Sequence, residues 1–303
     1  MDNKKYACCY LDLLGFSSYT LNYDVQDSVR LIGNYATIFQ HREITNDFKS
    51  FEYFHPASDS LLIISNNYDS FIIDLSKFCE LAYHIASQPY MMPENPADVA
   101  EVTVPVITPY GVHKKKEHWF PTIFSGGLSF GEIAIFTQES YYAGKTIQVP
   151  NFVGNAVTKS VHIGQKEHGA RIILDDNVVQ KISSRTKEKY VLTHDGINDL
   201  LWPAACFIDA NTVESNIING IYEIFEAFLK FYNQFKNTAN LEVVYFNTLK
   251  IIAFSLIQYM DYRNANVEER ENAGMLLNRC LELHKLQYLA KDLFDIKLWK
   301  KGK

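Results

Sequence analysis

The chain has 303 residues, 47% of them hydrophobic, with 29 basic and 35 acidic side chains and a formal charge of −6. That composition excludes a wholly disordered chain and allows one large domain, or one domain with a substantial extension. It also lacks the basic excess of a DNA- or RNA-binding surface, while a small nucleotide carried by a metal ion stays compatible with it.

The five cysteines, Cys8, Cys9, Cys79, Cys206 and Cys280, are odd in number, widely spaced and mostly set in apolar patterns. They read as reduced core thiols rather than a disulfide frame, and no CxxC zinc pair occurs. The start, MDNKKYACCYLDLL, has too short an apolar run and too early an acid for a secretory signal. The richest apolar run, KIIAFSLIQYM, ends in Asp261 and Arg263, so no membrane-spanning segment and a cytoplasmic location are expected.

Taken in chain order, YACCYLDLL at 6–14 predicts a buried strand. After GFSSY, the spacing of Val25, Val29, Ile32, Ala36 and Phe39 predicts a helix over about 24–40. FEYFHPASDSLLIIS at 51–65 predicts two strands with a reversal between them, with Tyr53, His55 and Ala57 on the face shared by Asp59, and Pro56 marking an edge or bulge. Phe71, Ile72, Leu75, Phe78, Cys79, Ala82 and Ala86 recur at helical spacing. Residues 88–121, broken by six prolines and carrying Lys114, Lys115 and Lys116, predict a long loop or insertion with one short strand near VTVPVI and the lysines on a solvated loop.

Further on, SGGLSFGEIAIF at 125–136 predicts a strand with a glycine-assisted turn, VGNAV leads into a helix over about 154–168, ARIILDD forms a strand ending in acid, and YVLTHDG the last strand. The first 200 residues therefore predict an α+β fold, a mostly antiparallel sheet with helices packed on it. From about 212, three apolar helical stripes follow, forming either a small appendage or a cover over the first part.

Asp12 and Asp59 are the acids this pattern leaves over. Each can be a cap or turn residue. Alternatively, two carboxylates at adjacent strand ends repel each other and are costly to bury unless a cation lies between them, and Mg²⁺ or Mn²⁺ takes such oxygen ligands together with substrate phosphates. Gly15 allows a tight turn after Asp12 that aims the N–H groups ahead of Phe16 at a phosphate. Neither GxGxxG, GxxxxGK[ST] nor GxSxG occurs.

YLDLLGF at 10–16, FHPASDSLLIIS at 54–65, SGGLSFGEI at 125–133 and VGNAVTKSVHIGQKEHGARIIL at 153–174 resemble the catalytic domain of class III nucleotide cyclases. More narrowly, they are similar to the bacterial antiphage pyrimidine cyclases that make cyclic UMP or cyclic CMP. The resemblance covers about residues 5–175, and the domain it implies runs over 5–210, a ferredoxin-like core that leaves 211–303 as a helical extension. It implies that Asp12 and Asp59, with the backbone carbonyl of Leu13, bind two Mn²⁺ or Mg²⁺ ions, and that the substrate is a nucleoside triphosphate, UTP or CTP.

The motif matches lie at Gly126, Gly127, Ser129 and Gly131, at Gly154, Ala156 and Val157, and at Arg171 and Ile172. Three positions depart from the family. Ser125 stands where these bacterial cyclases commonly carry Arg, Thr158 where the wider class carries a ribose-orienting Asn, and His162 where it carries a transition-state Arg. The resemblance therefore implies that His162 acts there, with Lys159 or Arg171 as substitutes, and that the site is completed across a two-fold homodimer. Near Asp59, Tyr53 and His55 replace the charged base-reading groups of purine cyclases, which fits a pyrimidine. A cyclase-fold protein that binds nucleotide without turning it over, and an interaction protein acting through its C-terminal helices, are the competing classes.

Overall fold

The computed structural model describes residues 4–22, 25–45, 47–87, 101–118, 122–165, 169–205, 214–238 and 240–293. Cys206 and the prolines at 89, 93, 96 and 121 lie outside them.

Strand β1, Lys4–Leu13, lies inside the sheet, with β3 (Ser60–Ser65) on one side and β6 (Phe124–Tyr142) on the other. β2 (Tyr53–Ala57) pairs with β3, while β8 (Ile172–Leu174), β10 (Ile197–Leu200) and β9 (Val191–His194) extend the sheet beyond β6. Among the described residues, β6 and β8 pair in parallel and the other pairings in this sheet are antiparallel. The expected mostly antiparallel α+β sheet is what forms.

Alternation along β1 separates two chemistries. Cys9, Leu11 and Leu13 point into the main core with Leu61, Ile63 and Leu128, covered by α2 (Val25–Thr45) and α3 (Tyr68–Ser87). Tyr6 and Cys8 point to the other face, where Ile64, Ile133 and Ala156 form a second, smaller cluster under α4 (Asn155–Gly164). Asp12 continues the Tyr6–Cys8–Tyr10 side, because side chains repeat every second residue.

Several elements differ from the sequence expectation, among them a short helix α1 (Phe16–Asn22) after β1 and an α2 that runs on to Thr45. β6 runs 19 residues without a turn at its glycines and forms a long hairpin with β7 (Lys145–Val153). The glycines serve close approach instead: a Cβ on Gly127 would lie 2.2 Å from the Ser160 carbonyl oxygen, so α4 seats on this strand only because no side chain intervenes. The run Lys114–Lys116 lies in β5 (Gly111–His118), paired with β4 (Glu101–Thr108) as a separate two-stranded sheet, rather than on a loop. α4 stops at Gly164, earlier than the expected 168. β9 is followed by an unforeseen partner, β10, whose short sequence INDL carries two polar residues and so lacks an apolar run.

Beyond the short helices α5 (Asp176–Val179) and α6 (Ser184–Tyr190), the chain makes a 3-10 turn at Trp202–Ala204 and enters α7 (Glu214–Phe235), α8 (Leu241–Tyr262) and α9 (Val267–Leu283), with α10 (Ala290–Leu293) last. The three apolar stripes are helices, and they form a cover: Phe225, Phe228, Tyr245, Leu249 and Leu277 belong to the same core cluster as Leu11 and Phe71. The Trp202 indole donates to the Ala170 carbonyl at 2.8 Å and ties the turn to the sheet. α8 is long and apolar enough to cross a membrane by length and composition, contrary to the expectation for that run, but most of it is buried inside the protein. Cys8, Cys9, Cys79 and Cys280 are buried, as expected of core thiols.

Candidate functional site

Asp12 lies one residue before the end of β1 and pairs across the strands with Ser60. Asp59 precedes Ser60 in the β2–β3 turn, where Ser58 takes a positive φ of 57° to close a two-residue reversal. The Leu13 N–H donates to the Asp59 carbonyl at 2.9 Å, fixing the two acidic segments side by side. From α2, the buried Tyr35 hydroxyl donates to the Ser60 carbonyl at 2.7 Å and holds the same turn from below.

The electrostatics follow from that convergence. Burial first, and then the neighbouring Asp59 charge, push the Asp12 carboxyl up to about 6. The Tyr10 hydroxyl, two residues back on the same strand face, donates to Asp12 Oδ1 at 3.4 Å and pulls the other way. The Tyr35 hydroxyl is itself shifted upward, by burial and then by both acids. A half-buried carboxylate beside a second carboxylate is compensated either by a proton or by a cation. Its hard oxygen donors, with the Leu13 carbonyl, match the ligand set of Mg²⁺ or Mn²⁺, whose remaining positions are normally filled by water and phosphate. Among the described residues no group of three or more acidic, His or Cys side chains converges.

Beside Asp12 opens a cleft of about 450 Å³. Its floor is Gly126 and Ser125 of β6, and the C-terminal end of α4 closes one side with Gly164 and Gln165. Gly15 and Phe16 line it as expected of the turn after β1, with Gly15 at φ 80°, a left-handed turn that Gly adopts without strain. Asn240, Leu241 and Val244, from the start of α8, supply the opposite wall. Among the described lining residues there is no Lys, Arg or His.

The remaining candidates are distributed elsewhere. Tyr53 and His55 lie on β2, to the β3 side of β1, where both rings sit 5.6 Å from the Phe152 ring. They share the Asp12 face of the sheet but do not line the cleft. Thr158, Lys159 and His162 are exposed on the outer side of α4, also outside it, and the Thr158 hydroxyl donates back to the Gly154 carbonyl at 3.3 Å.

Arg171 requires a correction as a ligand-binding residue. Its side chain is 10% exposed, and its Nε and Nη2 donate to the two oxygens of the fully buried Asp199 at 2.9 and 2.6 Å. His194 Nε2 approaches Asp199 Oδ2 at 2.6 Å, so the guanidinium belongs to a structural network between β8, β9 and β10.

Sequence reasoning missed Tyr10 and the α8 wall. The i, i+2 spacing of Tyr10 and Asp12 on one strand carried a signal for the first. Nothing local connects Asn240 with Asp12, 228 positions earlier.

No family model and no curated protein matches the chain. Solved structures of similar fold include the guanylyl cyclase Cya2, 12% identical over 66% of this chain and 93% of that one, with a TM-score of 0.39. They also include the adenylyl cyclase CyaB from P. aeruginosa, 10% identical over 69% and 96%, TM-score 0.41. The guanylate cyclase domain of RhGC from Catenaria anguillulae, solved in complex with GTP, is 12% identical over 65% of this chain and 94% of that one, TM-score 0.39.

Proposed function

We propose that the protein is a metal-dependent pyrimidine nucleotide cyclase that converts UTP (or CTP) to the 3′,5′-cyclic monophosphate and pyrophosphate. The observation that carries this reading is Asp12, which lines a cleft at the end of β1, with Asp59 in the adjacent β2–β3 turn. Asp12 and Asp59 are fixed by backbone pairing, and one of them is held near pKa 6 by burial and by the other.

The two carboxylates and the Leu13 carbonyl would hold Mn²⁺ or Mg²⁺. Divalent ions supply acidity to the ribose 3′-hydroxyl and neutralise charge on the phosphates. Asp12 and Asp59 hold the reacting end of the nucleotide at the end of β1, and the turn at Gly15–Phe16 lies under the phosphates. In the reaction the 3′-oxygen forms a bond to the α-phosphorus, the bond from that phosphorus to the β-phosphate oxygen breaks, and the hydroxyl proton leaves to solvent. Pyrophosphate carries away the electron pair. Tyr53 and His55, on the same sheet face toward β2, receive the base, and a Tyr–His pair there suits a pyrimidine. Lys159 and His162, exposed on α4, act on the site of a second copy in a homodimer, with Thr158 toward the ribose. The cyclic nucleotide then serves as a messenger in antiphage defence, the role implied by the sequence resemblance.

One observation favours a second reading. The cleft has no cationic side chain among its described lining residues, and the α4 candidates are Thr and His rather than Asn and Arg. A cyclase-fold protein that binds a metal nucleotide without turning it over fits that equally.

Incubating purified protein with Mn²⁺ and each of the four nucleoside triphosphates, and separating the products, decides between them. Cyclic UMP or cyclic CMP formation that disappears in Asp59→Ala supports the enzyme. Metal-dependent UTP binding with no product supports the second reading, and neither binding nor product overturns both.

A further inference from the structure

α8 meets the cleft at its first turn. Asn240 precedes the helix with φ 71°, a left-handed conformation that Asn tolerates better than most residues. Its side chain makes no capping hydrogen bond; the Thr238 carbonyl instead accepts from the Leu241 and Glu242 N–H groups at 3.2 and 3.4 Å. The exposed Asn240 amide is therefore not committed to the helix end. Leu241 and Val244 are buried behind it, an apolar backing one helical turn long.

This wall is anchored to the core. Two turns into α8, Thr248 Oγ1 accepts the Ala170 N–H at 3.0 Å. Gly169, at φ 109°, runs so near that a Cβ there would lie 2.7 Å from Asn247 Cβ. The same stretch of chain leads from α4 to β8, so α8 is clamped where the sheet begins again.

Strand order gives the wall a direction. β2, with Tyr53 and His55, lies on one side of β1, and the cleft lies on the β6 side. A nucleotide with its reacting phosphorus at Asp12 and its base toward β2 must extend its remaining phosphates into the cleft and toward α8.

We propose that the first turn of α8 reads the length of the polyphosphate chain. The Asn240 amide donates to the terminal phosphate, and Leu241 and Val244 close the space beyond it. The inference rests on the nucleotide reading above and adds to it a specificity-determining role for the C-terminal helices.

The test uses the full-length protein with saturating Mn²⁺ and measures UTP and UMP binding by calorimetry in the wild type, Asn240→Gly and Val244→Phe. Glycine suits the left-handed backbone, so Asn240→Gly should leave ligand-free thermal unfolding unchanged or slightly raised. It should weaken UTP about tenfold, the loss of one hydrogen bond to a charged group, and leave UMP unchanged. Val244→Phe should weaken UTP about tenfold or more by filling the cleft, again sparing UMP. UTP affinity equal to the wild type in Asn240→Gly overturns the proposal and leaves the nucleotide reading intact, as does an equal loss of UTP and UMP. A wild type that binds none of the four triphosphates with Mn²⁺ overturns the nucleotide reading, and the proposal with it.

Discussion

At the scale of single residues, the half-buried Asp12 and the fully buried Asp199 show two ways of accommodating an acid in the fold. Asp199 is compensated inside the protein by Arg171 and His194. Replacing it with Asn leaves the buried guanidinium without its counter-charge, and we expect a loss of about 3–5 kcal/mol in urea unfolding, partly restored by the double change Asp199→Asn, Arg171→Met. The hydrogen bond to Asp199 raises the His194 pKa above its ordinary value. The folded state therefore holds that proton more tightly, and the contribution is fully present below the unfolded pKa near 6.5 and fades as pH rises through the folded value. His194→Ala should abolish that part of the decline in a pH series of melting temperatures.

Asp12 has the opposite relation to its neighbours. Its pKa is raised to about 6, and no cationic group among the described residues offsets this. Between the unfolded value near 3.8 and about 6 the folded protein binds more protons than the unfolded chain, so metal-free stability falls as pH rises through that window. Above it the carboxylate is ionised and ready for a cation. Mn²⁺ should therefore raise the melting temperature at pH 7.5 and lose most of that effect by pH 5, and Asp12→Asn should remove the metal effect at both. A Mn²⁺ shift independent of pH and of Asp12 would contradict the assignment.

At the scale of elements, the seat of α4 on β6 is the most exacting contact of the site. A Cβ on Gly127 would meet the Ser160 carbonyl oxygen at 2.2 Å and the Gly164 nitrogen at 2.6 Å, and both are backbone atoms that move only with the helix. Gly127→Ala should cost about 1–3 kcal/mol, because relief requires a backbone shift of α4. The same shift displaces Gly164 and Gln165 at the cleft, so nucleotide binding should weaken beyond what the stability loss explains. Parallel denaturation and calorimetry check both.

At the scale of the whole molecule, the core does not stop at the sheet. Phe228 stacks on Tyr83 of α3 at 5.4 Å, and Ile224, Phe225 and Leu229 join the cluster that contains Leu75 and Phe78. Each buried side chain of that size contributes roughly 1.5–3 kcal/mol, against a total stability of about 5–15 kcal/mol for an ordinary domain. A chain cut after residue 210 should expose the underside of α3 and Trp202 and aggregate or bind hydrophobic dye, whereas the full chain should unfold in one cooperative transition. A soluble 1–210 fragment with native near-UV circular dichroism would show the helices to be dispensable.

Much of this was legible in the chain because it depends on local periodicity. The alternation in YACCYLDLL marked the central strand and left Asp12 as its odd member, SDS before LLII marked the hairpin that carries Asp59, and the three apolar stripes after residue 212 marked three helices. Glycine misled where it served approach rather than reversal: at Gly126, Gly127 and Gly131 the sequence reads as a turn, but a neighbouring helix and strand explain the absent side chains. Arg171 misled because its partner Asp199 lies in the short polar strand INDL, which periodicity does not register. The sequence by itself determined the central strand, the hairpin that carries Asp59, the three C-terminal helices and the two acids that remain unexplained, since those are matters of local pattern and burial preference. Only the tertiary structure decided that Arg171 is already paired, that α4 carries its candidates outward, and that α8 walls the cleft beside Asp12, because each depends on contacts between residues far apart in the chain.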